Sequence, residues 1–367
     1  MGQDRQVTRR AALGQVGVWM AAPALASRPA AGSGKGDAMI VDRVRWTESF
    51  EGYFVDGCAV QDARRYFFVM PPDRDLDDDD APPTRLLYVN ADRAIDARRF
   101  VRGSLNFSSA GLVFSPQGGE FVAIGLGGEV FSYDGDRGKN EAELPMVLPT
   151  TDLRAVVHGV GRVGGTVYAT GWPHRVWKRR GAGAWDTLTA GLPPARLGPS
   201  ADIVTALHEN RLRAIAGFDD DDLYAVGDGG EIWQWVGARW RRRAAPCKEA
   251  FLAASAAYDR VFLADETGAL WTGRSERWTR VTGPQPYPIT DLAWFAGRLW
   301  CGFANGALKR LEGARVAGAG APSAVSPGIH HLDVAPDGSC LVAAGRWGAA
   351  LHDGARWRVL FGGTAPA

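Results

Sequence analysis

From about residue 50 onward the chain is written in short runs whose apolar positions alternate with polar ones. In "EIWQWVG" (231–237), Ile232 and Gln234 fall on one side and Trp233 and Trp235 on the other, the two-residue period of a half-buried strand. The run before it, "DLYAVGD" (222–228), is separated from it by a glycine-rich step, the mark of a tight hairpin that needs positive φ. No stretch outside the N-terminal segment shows the 3.6-residue apolar period of a packed helix.

The pattern repeats. "GDGGEIWQWVGARW" (227–240) is followed by "DETGALWTGRSERW" (265–278), "FANGALKRLEGARV" (303–316) and "GRWGAALHDGARW" (345–357). The turn glycines Gly230, Gly268 and Gly306 stand ten residues before Trp240, Trp278 and Val316, and Gly348 stands nine before Trp357. Looser copies occur at 171–185, where His174 takes the glycine's place, and at 125–136, which keeps Gly128. "TRLLYVNA" (84–91) supplies the matching strand of a first copy. Each copy reads as four short strands, "RLRAIAG", "DLYAVGD", "EIWQWVG" and "RWRRRAA" in the fourth. Copies of about 40 residues with four strands and no helix predict an all-β, β-propeller fold. Seven blades fit the count of copies, and six or eight stay open. The recurrent tryptophan on the outer strand is expected between adjacent blades, where its area stabilises most. For closure, "IVDRVRW" (40–46) is expected to pair beside "RWRVLFG" (356–362).

In periodicity and in the "DDLYAVGDGG" strand-turn, residues 45–362 resemble the broad class of bacterial propellers with BNR-like or YVTN-like repeats. The Asp-box of sialidases and the tryptophan-aspartate ending of WD40 propellers are absent. The resemblance therefore implies architecture and leaves activity open. It also implies kinship with assembly factors of membrane complexes.

Residues 1–38 differ from the rest. Thr8-Arg9-Arg10 precedes an uncharged, mildly apolar run, and Ala24-Leu25-Ala26 offers a small-x-small cleavage site. The segment resembles a twin-arginine export signal, with Ala12 where that pattern wants a large apolar residue. It implies a periplasmic or secreted protein whose propeller spans 39–367. A start at Met39 implies a cytoplasmic one. The run is too short and too weakly apolar to span a membrane as a helix.

Charge narrows the partners. Basic and acidic residues, 42 against 41, nearly cancel, which argues against nucleic acid. Four scattered cysteines (Cys58, Cys247, Cys301, Cys340) form no disulfide framework or zinc pattern, and read as free thiols buried in strands. "DRDLDDDD" (73–80) lacks the glycine and glutamate of a calcium loop and reads as a solvated insertion. Arg241 and Arg243 in "RWRRR" are expected exposed on one face of an edge strand. "GLGGEV" (125–130) precedes a strand rather than a helix, so it is no dinucleotide fingerprint. No cofactor or metal is implied.

Aligning the first strands on a leucine ("DLR", "RLR", "FLA", "DLA", "HLD") places Asp152, Arg154, Arg211, Arg213, Asp291, His331 and Asp333 on one ring at the channel mouth. This mixture of charges suits a polar ligand or a protein loop, or a mutually neutralised lining. His330, His331 and His158 are the histidines an inner-strand base would draw on. Three functions follow: a non-enzymatic propeller holding a protein partner, such as an exported assembly factor; a cytoplasmic immunity-type protein neutralising a secreted toxin; or a polysaccharide lyase or glycoside hydrolase using Asp152 and Asp291.

Overall fold

A computed structural model describes residues 48–73, 83–93, 100–148, 153–194, 209–323 and 329–362. They form seven antiparallel four-stranded sheets, each built from strands consecutive in sequence. The blades span 57–105, 109–140, 156–187, 212–242, 251–282, 289–318 and 329–361, in that order 1 to 7. The chain is a seven-bladed β-propeller. Its first strands are Gly57–Asp62, Ser109–Ser115, Val156–Val163, Leu212–Asp219, Phe251–Ala257, Ile289–Phe295 and Ile329–Val334. Each packs beside the first strand of the next blade, and Ile329–Val334 lies beside Gly57–Asp62, so the ring closes.

Alternation along each strand explains why the sheets stack. In the second strand of blade 2, Glu120–Gly125, every residue is buried. Phe121 and Ala123 join the apolar cluster shared with blade 1, while Val122 and Ile124 join the one shared with blade 3. Among the described residues there are seven such clusters, one per seam. Burying a large apolar side chain in one of them is worth about 1.5–3 kcal/mol. The first strands approach closely where glycine allows it. A Cβ on Gly159 would stand 2.2 Å from the Arg213 carbonyl oxygen of blade 4.

The repeated motif performs as its spacing suggests. Gly128, Gly230, Gly268 and Gly306 all take positive φ, between 70° and 91°, in the turn joining second and third strands. His174 stands in for glycine with φ 44°. Blade 7 differs: its turn is Arg346-Trp347, and Gly348 already pairs with Gly345 in the ladder, which accounts for the shorter spacing to Trp357. The outer-strand tryptophans pack back on the preceding blade. Trp240 donates its indole N–H to the Leu188 carbonyl (2.9 Å), and Trp357 donates to that of Ala319 (3.3 Å). Arg243 departs from its expected exposure. It is largely covered, donating to Gln234 and pairing with Glu276 of blade 5 at 2.7 Å, because the strand ends there and its side chain turns to the seam. Cys58, Cys301 and Cys340 are buried free thiols, Cys247 is half-buried in a loop, and Cys340 just precedes its strand.

The expected closing strand, 40–46, and most of the acidic run 73–80 lie outside the described residues. Blade 7 takes all four of its strands from 329–361, and the seam with blade 1 carries the closure. Phe361 packs between Phe50, from the short helical turn ahead of blade 1, and Phe68, with ring centroids 4.9 and 5.0 Å away. Arg358 donates to the Ala63 carbonyl (2.7 Å) and the Tyr66 hydroxyl (2.9 Å).

Phe361→Ala empties a fully buried site at this seam and is expected to cost about 3–5 kcal/mol. A urea titration shows this as a lowered midpoint. A loss under about 1 kcal/mol would mean the seam does not hold the ring.

Candidate functional site

The channel has two mouths. At one, the chain passes from each blade to the next and the first strands begin; at the other stand the hairpins joining first to second strands. In six of the seven blades, the register of the first strand against the second skips one residue near its start: Ala110, His158, Arg213, Leu252, Thr290 and His330. Such a bulge shifts which side chains face which way. The structurally equivalent positions are therefore those after it, Gly111, Gly159, Ala214, Ala253, Asp291 and His331. The leucine alignment is sound for "DLA" and "HLD" but not for the others. In blade 5 Phe251 and Ala253 are buried while Leu252 is not, whereas in blades 6 and 7 Leu292 and Leu332 are buried and Asp291, His331 and Asp333 are only partly so.

Asp291, His331 and Asp333 come together on adjacent first strands. The Asp291 carboxylate accepts the amide N–H of Leu292 and, across the seam, that of Leu332, both at 2.8 Å. Asp333 repeats the arrangement at the next seam, accepting the Val60 amide of blade 1 at 2.8 Å. Its other oxygen faces Arg162 of blade 3 at 3.4 Å, and Arg162 also donates to the Phe114 and Val334 carbonyls. His331 stands 3.6 Å from Asp56, just ahead of blade 1. The Cys58 thiol points at the His331 carbonyl.

Enclosure by the channel wall sets the protonation behaviour. Burial pushes Asp291 up to about 6, against the opposing pull of the two amides and of His331. Burial likewise raises Asp333, with Arg162 opposing. For His331 burial favours the neutral ring, but Asp56 outweighs it and the group is raised. The carboxylates are thus spent on backbone amides and a guanidinium at the blade 6–7 and 7–1 seams.

Arg211 and Arg213 belong to a separate cluster. Both pair through Nε with Asp228, at 2.8 and 2.7 Å, in the turn between second and third strands of blade 4. Burial works against the Asp228 carboxylate, yet the two guanidiniums hold it below its usual range. Arg154 is exposed outside the first strand of blade 3, paired with Glu143 at 2.8 Å. Asp152 lies outside the described residues, and with it the pairing to Asp291 that a glycosidase would need. Sequence reasoning passed over Arg162 and Asp56. Their register within the ring carries no local motif, and Arg162 meets blade 7 only after the chain has travelled around the circle. No helix among the described residues is long and apolar enough to cross a membrane.

Asp291→Asn tests the carboxyl's environment. A group titrating near 6 when folded and about 3.9 when unfolded favours the fold fully below about pH 4 and less as pH rises through 6. The stability of the variant relative to wild type is therefore expected to improve as pH is raised from about 4 to 7, measured by denaturant melts at each pH. A difference independent of pH would contradict the assignment.

No protein-family model matches the chain. Over 193 residues, 52% of the chain, it is 31% identical to the immune protein Tsi7 of Pseudomonas aeruginosa, and the match spans 60% of that relative's length. Among solved structures it is similar to YCF48 from Cyanidioschyzon merolae, with a TM-score of 0.53 at 13% identity over 82% of this chain and 95% of that one. A second structure, YCF48 bound to D1 peptide, gives 0.52 at 14%, covering 82% and 91%. BamB from Moraxella catarrhalis gives 0.51 at 16%, covering 83% and 85%. At these identities the structural likeness is one of fold.

Proposed function

We propose that this chain is a non-enzymatic propeller that binds a protein partner, and that the partner is a toxin it neutralises. The observation that carries the reading is the 31% identity over 193 residues to a protein named as an immune protein. Two features support it. The channel carboxylates are committed to holding blades together, Asp291 on Leu332 and Asp333 on Val60, which leaves the fold's rims for recognition. A propeller of the same fold, YCF48, has been solved bound to D1 peptide. A rigid ring presenting many turns suits shape recognition of a folded partner, since little entropy is lost on binding.

An exported assembly factor is the second reading, favoured by Thr8-Arg9-Arg10 and Ala24-Leu25-Ala26. Intact mass of the protein from its host decides it. A periplasmic chain beginning at Ser27 supports export; a cytoplasmic chain, uncleaved or beginning at Met39, removes it.

The neutralisation reading is tested by co-expression with the product of the adjacent gene. Restored growth, together with a stable complex on size exclusion, is expected. Unrelieved toxicity, or a harmless neighbour that forms no complex, would overturn it.

A further inference from the structure

The opposite end of the channel, where the hairpins cluster, carries a surface that the two ring clusters do not explain. Three of these hairpins and the ends of two first strands enclose a depression of about 390 Å³ lined by Pro116, Arg162, Gly164, Gly165, Val334 and Pro336. Its floor is Arg162. That side chain starts in blade 3, donates to the Phe114 carbonyl of blade 2 and reaches Val334 and Asp333 of blade 7, so it crosses the channel at this end. The depression is thus a shallow cup floored by Arg162, with prolines and glycines on its wall. Blade 4 borders it: the position a Cβ on Gly164 would take lies 3.7 Å from the Asp219 Cα.

On that side come two hairpin turns. In blade 4, Asp220 is tied to Tyr168 (2.6 Å) and Lys178 (2.8 Å), and Asp222 to Gln234 (2.7 Å) and Arg274. Asp219 and Asp221 are exposed, Asp219 spending one oxygen on the Asp221 amide. In blade 5 the turn is Tyr258-Asp259. Tyr258 is 81% exposed, among the most exposed of the large apolar side chains described. It has φ 54°, a left-handed conformation unfavourable for a residue with a side chain and one that glycine, as at Gly164 of the matching turn, adopts freely. It stands edge-on to Trp294 of blade 6 (5.5 Å), which stacks on Phe262 (5.4 Å). A tyrosine braced in this way offers a large contact area with little motion left to lose, the property of residues that dominate binding energies.

We infer that this hairpin face is the docking surface for the partner protein, and that the matching element is a protruding basic loop. Its apolar tip enters the cup, and its Lys or Arg side chains lie against Asp219, Asp221 and Asp259 beside the Tyr258 ring. Charge complementarity selects such a partner. The chain as a whole carries a net charge of only +1, whereas the neighbouring turns of blades 4 and 5 hold Asp219, Asp221 and Asp259 exposed; Lys178 and Arg274 are engaged by Asp220 and Asp222, and Arg260 stands 3.9 Å from Asp259. A cationic side chain over Tyr258 adds its attraction to the ring face. The inference rests on the protein-binding reading above and names its surface.

The probe is a fluorescent twelve-residue peptide alternating lysine with leucine and glycine, measured by polarisation beside its glutamate-for-lysine counterpart. Wild type is expected to bind the lysine peptide and not the other. Tyr258→Ala and the double variant Asp219→Lys/Asp221→Lys should each weaken binding at least tenfold while melting within a few degrees of wild type. Glu143→Lys, a control at the other mouth, should leave it within twofold. Absence of binding, equal binding by all variants, or an equal loss with Glu143→Lys would overturn the surface. If those variants still form the toxin complex with undiminished affinity, the surface is wrong and the neutralisation reading stands. If wild type forms no complex while the peptide results hold, the reverse is true.

Discussion

A four-stranded sheet whose two faces are both apolar cannot stand alone in water, and everything in this molecule follows from covering both faces of every sheet at once. Six seams can form by stacking blades in sequence order, but a row of seven sheets still leaves an apolar face open at each end. The seventh seam, between residues near the two ends of the propeller, removes both. It is made of ordinary material: Phe361 between Phe50 and Phe68, Val60 and Tyr66 against Val342 and Leu351, and Arg358 reaching into blade 1. Its loop-closure cost is the largest in the fold, because the partners lie furthest apart in the chain.

Polar groups reinforce the same joint. Asp291 holds an amide of blade 7 from blade 6, and Asp333 holds an amide of blade 1 from blade 7. Arg162 then ties blades 2 and 3 to blade 7 across the channel. These are enclosed charges that fix neighbouring strands, and their raised protonation constants are the consequence of that enclosure. The same bonds make the two mouths unlike. One end holds titratable groups with engaged oxygens; the other is crossed by a guanidinium and surrounded by hairpin turns that own their exposed side chains.

How far the sequence reached can be judged from particular residues. The hairpin glycines and the outer tryptophans were legible because each repeats at fixed spacing and acts within its own blade or on the one beside it. Seven blades, and the alternation of Ile232 and Gln234 against Trp233 and Trp235, followed from that. The inner ring was not legible in the same way. An inserted residue such as Arg213 or Thr290 changes the facing of everything after it without leaving a mark in hydrophobicity, so leucines that look equivalent are not. Arg162 and Asp333 lie 171 positions apart, and only the closed circle makes them neighbours. Tyr258 reads as one more aromatic residue until its turn and its exposure are seen.

Native-state hydrogen exchange, followed on peptides covering 329–361 and 57–70, tests the closed ring most directly. If blade 7 is sealed against blade 1, amides of both segments, Val60 and Leu332 among them, exchange only with the rest of the propeller in one cooperative opening. Exchange of 329–361 well ahead of blades 2 to 6 would show a last blade that undocks by itself, and would contradict the account.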